Sequence, residues 1–461
     1  MGKDLENKNF LKTGKEQLLK TVSDIVSQAK EGEEIEAYAT QSYETSIKAF
    51  KSTIESFEQS NSHEIAIRVI NDHSLGFAWS GSLEPSEVAL ALKLARENSK
   101  YSSKDEFLRL PQDSHSTVIE LDTFDESCLN LDSSKKIQLA IDLDRRLTDK
   151  DKRVRVVERA SYLDFAHVVA IASTTGIMRT AQRTGCLLAA YVIAGADDDT
   201  HVGGSVSISR GIPGLNMLKV VNESVERATR LLGAIKPPSE ELTIIFEPRV
   251  ATIFMNSLSA PLSGNSVYKH RSFFENRINE LIAVKELTLL DNPLDISSIT
   301  ASEIDAEGLV CRSNTLIEGG KLIQFLHSSE SALRLGAKAN GCSVRHGLAS
   351  LPVGGSRSFS IKQGSLTKND LIRSTAKGLL VQTISGLNSG VNTISGDFSV
   401  GAEGILIENG EMTNPVKEVT IAGTIQKMLH NISGIGNDLE WFSSGTSGVS
   451  LRIEGMKMSG K

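Results

Sequence analysis

The chain has 461 residues, of which 39% are hydrophobic and 23% charged, and its formal net charge is −7. At roughly 100–200 residues per domain that is enough for two or three domains of an ordinary soluble globular protein. The acidic balance offers no electrostatic footprint for a phosphate backbone, so direct nucleic-acid binding by this chain is not expected.

Residues 9–31 carry apolar positions at Leu11, Leu18, Leu19, Val22, Ile25 and Val26, the spacing of one face of an amphipathic helix. Alternating runs follow at Glu34–Thr40, Ser46–Phe57, Glu64–Ile70 and Leu75–Trp79, and they predict antiparallel strands. Pro85 opens a second helix through about Asn98, and a third spans about Ser134–Thr148. Between Arg153 and Ser209 the pattern predicts five short strands, and 218–233 predicts another helix. Lys236-Pro237-Pro238-Ser239-Glu240 is the clearest break, because consecutive prolines forbid helix and interrupt ladders. A strand is expected at Leu242–Phe246, then a helix at Val250–Leu262. The remainder is rich in Gly, Ser and Asn, with many short strands. This grouping predicts an α+β fold in two domains. Residues 1–235 would combine helices with an antiparallel sheet, and 236–461 would be dominated by antiparallel strands.

Cys128, Cys186, Cys311 and Cys342 are far apart, with no C-x-x-C, which argues for a reducing compartment and against a zinc knuckle or disulfide scaffold. The N-terminus is polar and lacks an apolar signal core. No run approaches ~18 apolar residues, so a cytoplasmic protein without a membrane span is expected. The basic stretch from Lys150 to Arg155 reads as a solvated helix end.

Catalytic signatures are sparse. His63-Glu64 starts an alternating strand and has no second His at ligand spacing, so it is not an H-E-x-x-H helix. Asp197-Asp198-Asp199 with His201 lacks the ligand pattern of a calcium loop and reads as a hairpin turn. Ser444-Gly445-Thr446-Ser447-Gly448 is not a nucleophile elbow. His270, His327 and His346 are scattered and read as local hydrogen-bonding or surface groups.

The most informative stretch is 396–438, GDFSVGAEGILIENGEMTNPVKEVTIAGTIQKMLHNISGIGND. Two alternating runs flank Asn409-Gly410, a strong hairpin dipeptide, and a short helix from Thr424 to His430 precedes a Gly-rich turn. In order and identity these residues resemble the C-terminal signature of the TldD/PmbA family, once called modulators of DNA gyrase. Glu303–Ile323 resembles that family's D-x-E-G stretch, His327–Gly336 the helix after it, and Ile453–Lys461 the PmbA ending.

The resemblance implies more than the residues alone. The family's protease branch, TldD, carries an H-E-x-x-x-H helix and a later Cys that complete a zinc site. Here the corresponding positions are Met255, Asn256 and Ala260, expected on one helix over 253–264, and no cysteine follows Asp438. A thioether is a poor zinc ligand, an amide is no general base and Ala has no donor atom. The resemblance therefore points to the PmbA/TldE branch. It implies a metal-free, non-catalytic subunit with no cofactor, inactive alone. A TldD-type zinc protease subunit would complete a heterodimer acting on unfolded or leader peptides. An autonomous metallopeptidase with unrecognised ligands around Asp197–His201 and a non-enzymatic peptide-binding homodimer are the alternatives.

Overall fold

The computed structural model describes residues 2–113 and 116–461, with side chains from residue 14 onward; Leu11 of the expected apolar stripe lies outside the described side chains. The chain folds as α+β. In the N-terminal half, α1 (Gly2–Val26) leads into β1 (Glu33–Phe50), β2 (Thr53–Asn71), β3 (Ser74–Ser80), α2 (Pro85–Tyr101), α3 (Ser133–Lys150), β4 (Val154–Ser173), β5 (Met178–Ala196), β6 (Asp199–Ser209) and α4 (Met217–Thr229). The six strands form one antiparallel sheet in the order β3-β2-β1-β4-β5-β6.

These strands are longer and fewer than the sequence predicts. The expected run Ser46–Phe57 contains a tight turn at Lys51-Ser52, with φ of 51° and 59°, so its two halves belong to β1 and β2. Neither residue is the Gly or Asn that normally marks such a left-handed turn, so nothing in the sequence announces it. Likewise the five runs expected before Ser209 are three long strands.

Alternation sorts the sheet's two faces. Odd residues of β1 (Ile35, Ala37, Ala39, Ile47) and of β2 (Ile65, Ile67, Val69), with even residues of β4 from Ala160 and of β5 from Thr184 to Ala194, point to one side and are buried. All four helices cover that side. Leu18, Val22 and Ile25 of α1 pack there with Ala91, Leu92 and Ala95 of α2. Leu143 and Leu147 of α3 pack with Val221 and Val225 of α4 over the other end. The second face presents Glu36, Tyr38, Arg68, His167 and Arg183, and it meets the C-terminal half.

That half opens with β7 (Glu240–Phe246), α5 (Pro248–Asn256) and α6 (Gly264–Tyr268). Short pieces follow: β8 (Leu289–Asp291), β9 (Asn314–Glu318), β10 (Lys321–Leu322), α7 (Ser329–Arg334), β11 (Ser343–Val344), β12 (Val353–Gly354), β13 (Phe359–Ile361) and α8 (Lys368–Arg373). Then come β14 (Lys377–Ser385), α9 (Leu387–Gly390), β15 (Asp397–Glu408), β16 (Glu411–Thr424), α10 (Ile425–His430), β17 (Ile432–Ile435), β18 (Glu440–Trp441), β19 (Ser447–Gly448) and β20 (Leu451–Ser459). Strands β16-β15-β14-β7-β20 close on themselves, because β16 also pairs with β20; β17 extends β20, and β7–β14 is the parallel pair in this ring. The ring's core includes Phe246, Phe254 and Phe398, with ring centroids 6.3–6.5 Å apart.

The expected hairpin is present. Glu408 pairs with Glu411, and Asn409 and Gly410 have φ of 51° and 80°, the left-handed pair a two-residue turn requires. A side chain at Gly410 would also meet the Arg373 carbonyl at 2.5 Å. No helix among the described residues is long and apolar enough to cross a membrane.

Candidate functional site

The two halves are clasped by a buried ion network. The Arg68 guanidinium donates to both oxygens of Glu36 and reaches Glu307 at 3.4 Å, while Arg345 donates to Glu36 at 2.6 Å. Glu36, Arg68 and Glu307 are all buried. Glu36 and Arg68 come from the sheet's second face; Glu307 and Arg345 come from the C-terminal half. Glu307 also accepts from the Ser329 backbone N–H at 2.9 Å, at the start of α7. Two residues earlier, Asp305 accepts the backbone N–H groups of Glu307, Leu309 and Ser343. Burial and the neighbouring Glu307 push its carboxyl up to about 7. The D-A-E-G stretch is therefore a structural clasp, a role its spacing does not reveal.

Beside the clasp, a cleft of ≈ 430 Å³ opens between the sheet's second face and loops of the C-terminal half. Its sheet wall carries Thr40, Glu64, His167 and Arg183; its other wall carries Arg357 and Ser444 among others. His167 pairs in register with Ser42 on one side and Arg183 on the other. Ser42 Oγ lies 2.7 Å from His167 Nδ1. Burial, reinforced by the nearby positive charges of Arg183 and Arg357, lowers His167 to about 3. A histidine so weakly basic is a poor general base for Ser42 at neutral pH. No carboxylate is hydrogen-bonded to its other nitrogen among the described residues, so the pair lacks the orienting third member of a catalytic triad.

Of the residues singled out from the sequence, His346 and Ser444 line this cleft, and Met255, Asn256, Ala260, Asp199, His201, His63, His270 and His327 do not. Helix α5 ends at Asn256 instead of continuing to Gly264, and hydrogen-bonded turns lead on to α6. Pro261 explains part of this, since it has no N–H to donate and disfavours helix at Ala260. Met255 is packed in the hydrophobic core. Asn256 is exposed, and its Oδ1 accepts from the Thr446 hydroxyl; Ala260 is exposed. Thioether, amide and methyl are a donor set that does not fit a zinc ion. Ser259 bonds Ser356 of the cleft wall at 2.8 Å, so this turn adjoins the cleft. Among the described residues no group of three His, Cys, Asp or Glu could hold a metal ion. Asp199 and His201 lie at the β5–β6 turn, 3.2 Å apart, with Asp199 also accepting from the Gly233 N–H. His63 lies on β2, and His270 is exposed beside Glu275. His327 is buried under α6 and pushed down to about 4 by burial.

Three family profiles match this architecture in order. They are described as the PmbA/TldA metallopeptidase domain 1 over residues 35–99, the central domain over 126–232 and the C-terminal domain over 239–460. The chain belongs to the TldD/PmbA family. It is 28% identical to the metalloprotease PmbA homolog of Haemophilus influenzae, covering 98% of each chain. It is 27% identical to metalloprotease PmbA of Escherichia coli O157:H7, covering 97% of this chain and 96% of that one. The crystal structure of TldE from Thermococcus kodakarensis superposes with a TM-score of 0.86 at 22% identity, covering 96% of this chain and 99% of that one. The TldD/PmbA fold thus accounts for the N-terminal sheet and the C-terminal ring of strands.

Two histidines of this TldD/PmbA chain, half-buried His167 and buried His327, are expected to make it acid-sensitive. Both are held below the ordinary value of 6.5, His167 near 3 and His327 near 4. Below about 6.5 the unfolded chain takes up protons that the folded one refuses, so stability falls as pH drops toward that range. Each histidine contributes at most about 1.4 kcal/mol per pH unit in that window. Urea melts at pH 7.5, 6 and 5 should show this decline, and His167→Asn should flatten it; an unchanged slope in the variant removes His167 as a cause.

Proposed function

We propose that this chain is the metal-free, non-catalytic partner of a TldD-type zinc protease, acting in the cytoplasm on unfolded or leader peptides. The donor set at Met255, Asn256 and Ala260 carries this reading. Where the resemblance sets a metal-binding helix, this chain has a core thioether, an amide engaged with Thr446 and a methyl group. Without a metal ion or a poised base, nothing there can activate water or polarise a peptide carbonyl. The names of the relatives, metalloprotease PmbA and TldE, support membership of such a system. On this reading residues 1–235 and 236–461 act as two domains, with the break at Pro237-Pro238, and the cleft between them forms part of a peptide-holding wall.

The test is reconstitution. The purified chain is mixed with an unfolded peptide, with and without a TldD-type protein. Cleavage is expected only in the mixture, with the chain alone inactive. Chelator-sensitive cleavage by this chain alone overturns the reading, and so does full activity of the TldD-type protein with this chain left out.

A further inference from the structure

The cleft holds positive charge that the protein itself does not neutralise. Arg345 is paired with Glu36 and lies 4.7 Å over the Tyr38 ring, so it is accounted for. Arg183 and Arg357 are different. Neither guanidinium makes an ion pair or a hydrogen bond among the described residues, and Arg183 Nε is buried without a partner. Each polar group left this way in a protein interior costs free energy and calls for an explanation. The Arg183 guanidinium is held below its ordinary value by burial and by Arg357, down to about 10. The two like charges therefore feel one another across the cleft. The acids facing the same space do not cancel them. Glu64 makes no ion pair and is only 3.5 Å from the Thr40 hydroxyl, and Asp305 is taken up by three backbone N–H groups.

The position of Arg357 is fixed by the backbone around it. Buried Asp291 accepts the N–H groups of both Arg357 and Ser358 at 2.8 Å. Thr300 donates to the Arg357 carbonyl at 2.6 Å. Gly445, at φ +77°, lies so close that a side chain there would meet that carbonyl at 2.5 Å. Arg183 is fixed by β5, opposite His167 in register. The backbone that carries each arginine is thus held by hydrogen bonds within the protein, and guanidinium forks match oxyanions.

We propose that Arg183 and Arg357, with His167 between the sheet strands beside them, form a binding site for an anionic oxygen group, either a peptide carboxylate or a phosphate. The carboxylate source rests on the peptide reading above; the phosphate source does not. The site is a recognition device, with no bond made or broken there.

The test uses the full chain alone in isothermal titration. Three probes are used: an N-acetylated pentapeptide with a free C-terminal carboxylate, the same peptide as its C-terminal amide, and inorganic phosphate. Hydrogen bonds to a charged group are worth about 1.5–3 kcal/mol, so Arg183→Gln or Arg357→Gln should each weaken binding by roughly 10- to 150-fold. Thermal melts check that the variants are folded, and Arg357→Lys, which keeps the charge, should retain part of the affinity. Binding of the free acid but not the amide assigns a peptide carboxylate. Phosphate binding with the same arginine dependence, and no difference between the two peptides, assigns phosphate. Binding of neither anion, or binding untouched by both glutamine changes, overturns the site. A failed reconstitution with a TldD-type protein leaves these titrations unaffected, so the two ideas fail separately.

Discussion

Replacing Arg68 by methionine is expected to destabilise the protein by about 3–5 kcal/mol, because it strips the shared cation from a buried network. Glu36 and Glu307 would then be buried with Arg345 as the remaining cation of the network, which pairs with Glu36 but not with Glu307. The loss should also loosen the union of the two halves, because within this buried network Arg68 touches an acid on each side. Chemical denaturation followed by intrinsic fluorescence should show a lower midpoint. A broadened or split transition is expected as well, with the N-terminal sheet and the C-terminal ring separating in their response. Adding Glu307→Gln to the variant removes one of the stranded charges and should recover part of the loss. A cost under about 1 kcal/mol, the range of exposed pairs, would show that the clasp does not carry the union.

A comparable loss is expected for Lys136→Met. The Lys136 ammonium lies 2.6 Å from Asp164 beneath α3, and both side chains are almost wholly inaccessible. Burial raises the Asp164 carboxyl, while Lys136 opposes that rise. Removing the lysine leaves Asp164 with a folded pKa further above its unfolded value. For an acid the sign is then fixed: the unfolded chain releases its proton first as pH rises, so the penalty grows above about pH 4. The variant should lose about 3–5 kcal/mol at pH 8 and markedly less at pH 5. Lys136→Met combined with Asp164→Leu should recover most of the stability at both pH values. A loss that is the same at pH 5 and pH 8 would contradict the account.

The parts legible in sequence were those encoded by local chemistry. The Asn409-Gly410 turn, the proline start of α2 and the amphipathic stripe of α4 each carry their signal within a few residues. The hairpin at Lys51-Ser52 was hidden because both residues adopt a left-handed conformation without Gly or Asn to announce it. The end of α5 was misplaced because its apolar pattern outlasts its hydrogen bonds. The D-A-E-G stretch was visible as a motif, but its ion partner, Arg68, lies 239 residues away on β2. The cleft was invisible for the same reason. Ser42, His167, Arg183 and Arg357 are unremarkable singly, and only the sheet register and the packing of the halves bring them together. A search for charged residues at alternating strand positions, interleaved with apolar ones, would have found Glu36 and Arg68, but not Arg183, whose neighbours Gln182 and Thr184 are polar.

That interleaving separates two kinds of genetic change. On β1, β2 and β4 the second-face residues Glu36, Tyr38, Arg68 and His167 are each flanked by residues that serve the helix-covered core. Substitution can therefore rewrite the recognition surface one side chain at a time while leaving the packing of the other face intact. Insertion or deletion of a single residue within these strands would do the reverse, presenting alanines and isoleucines to the cleft and driving arginine and glutamate into the core. Homologues of this chain should accordingly diverge in what their clefts recognise while holding the lengths of these strands constant, with length variation confined to the turns between them.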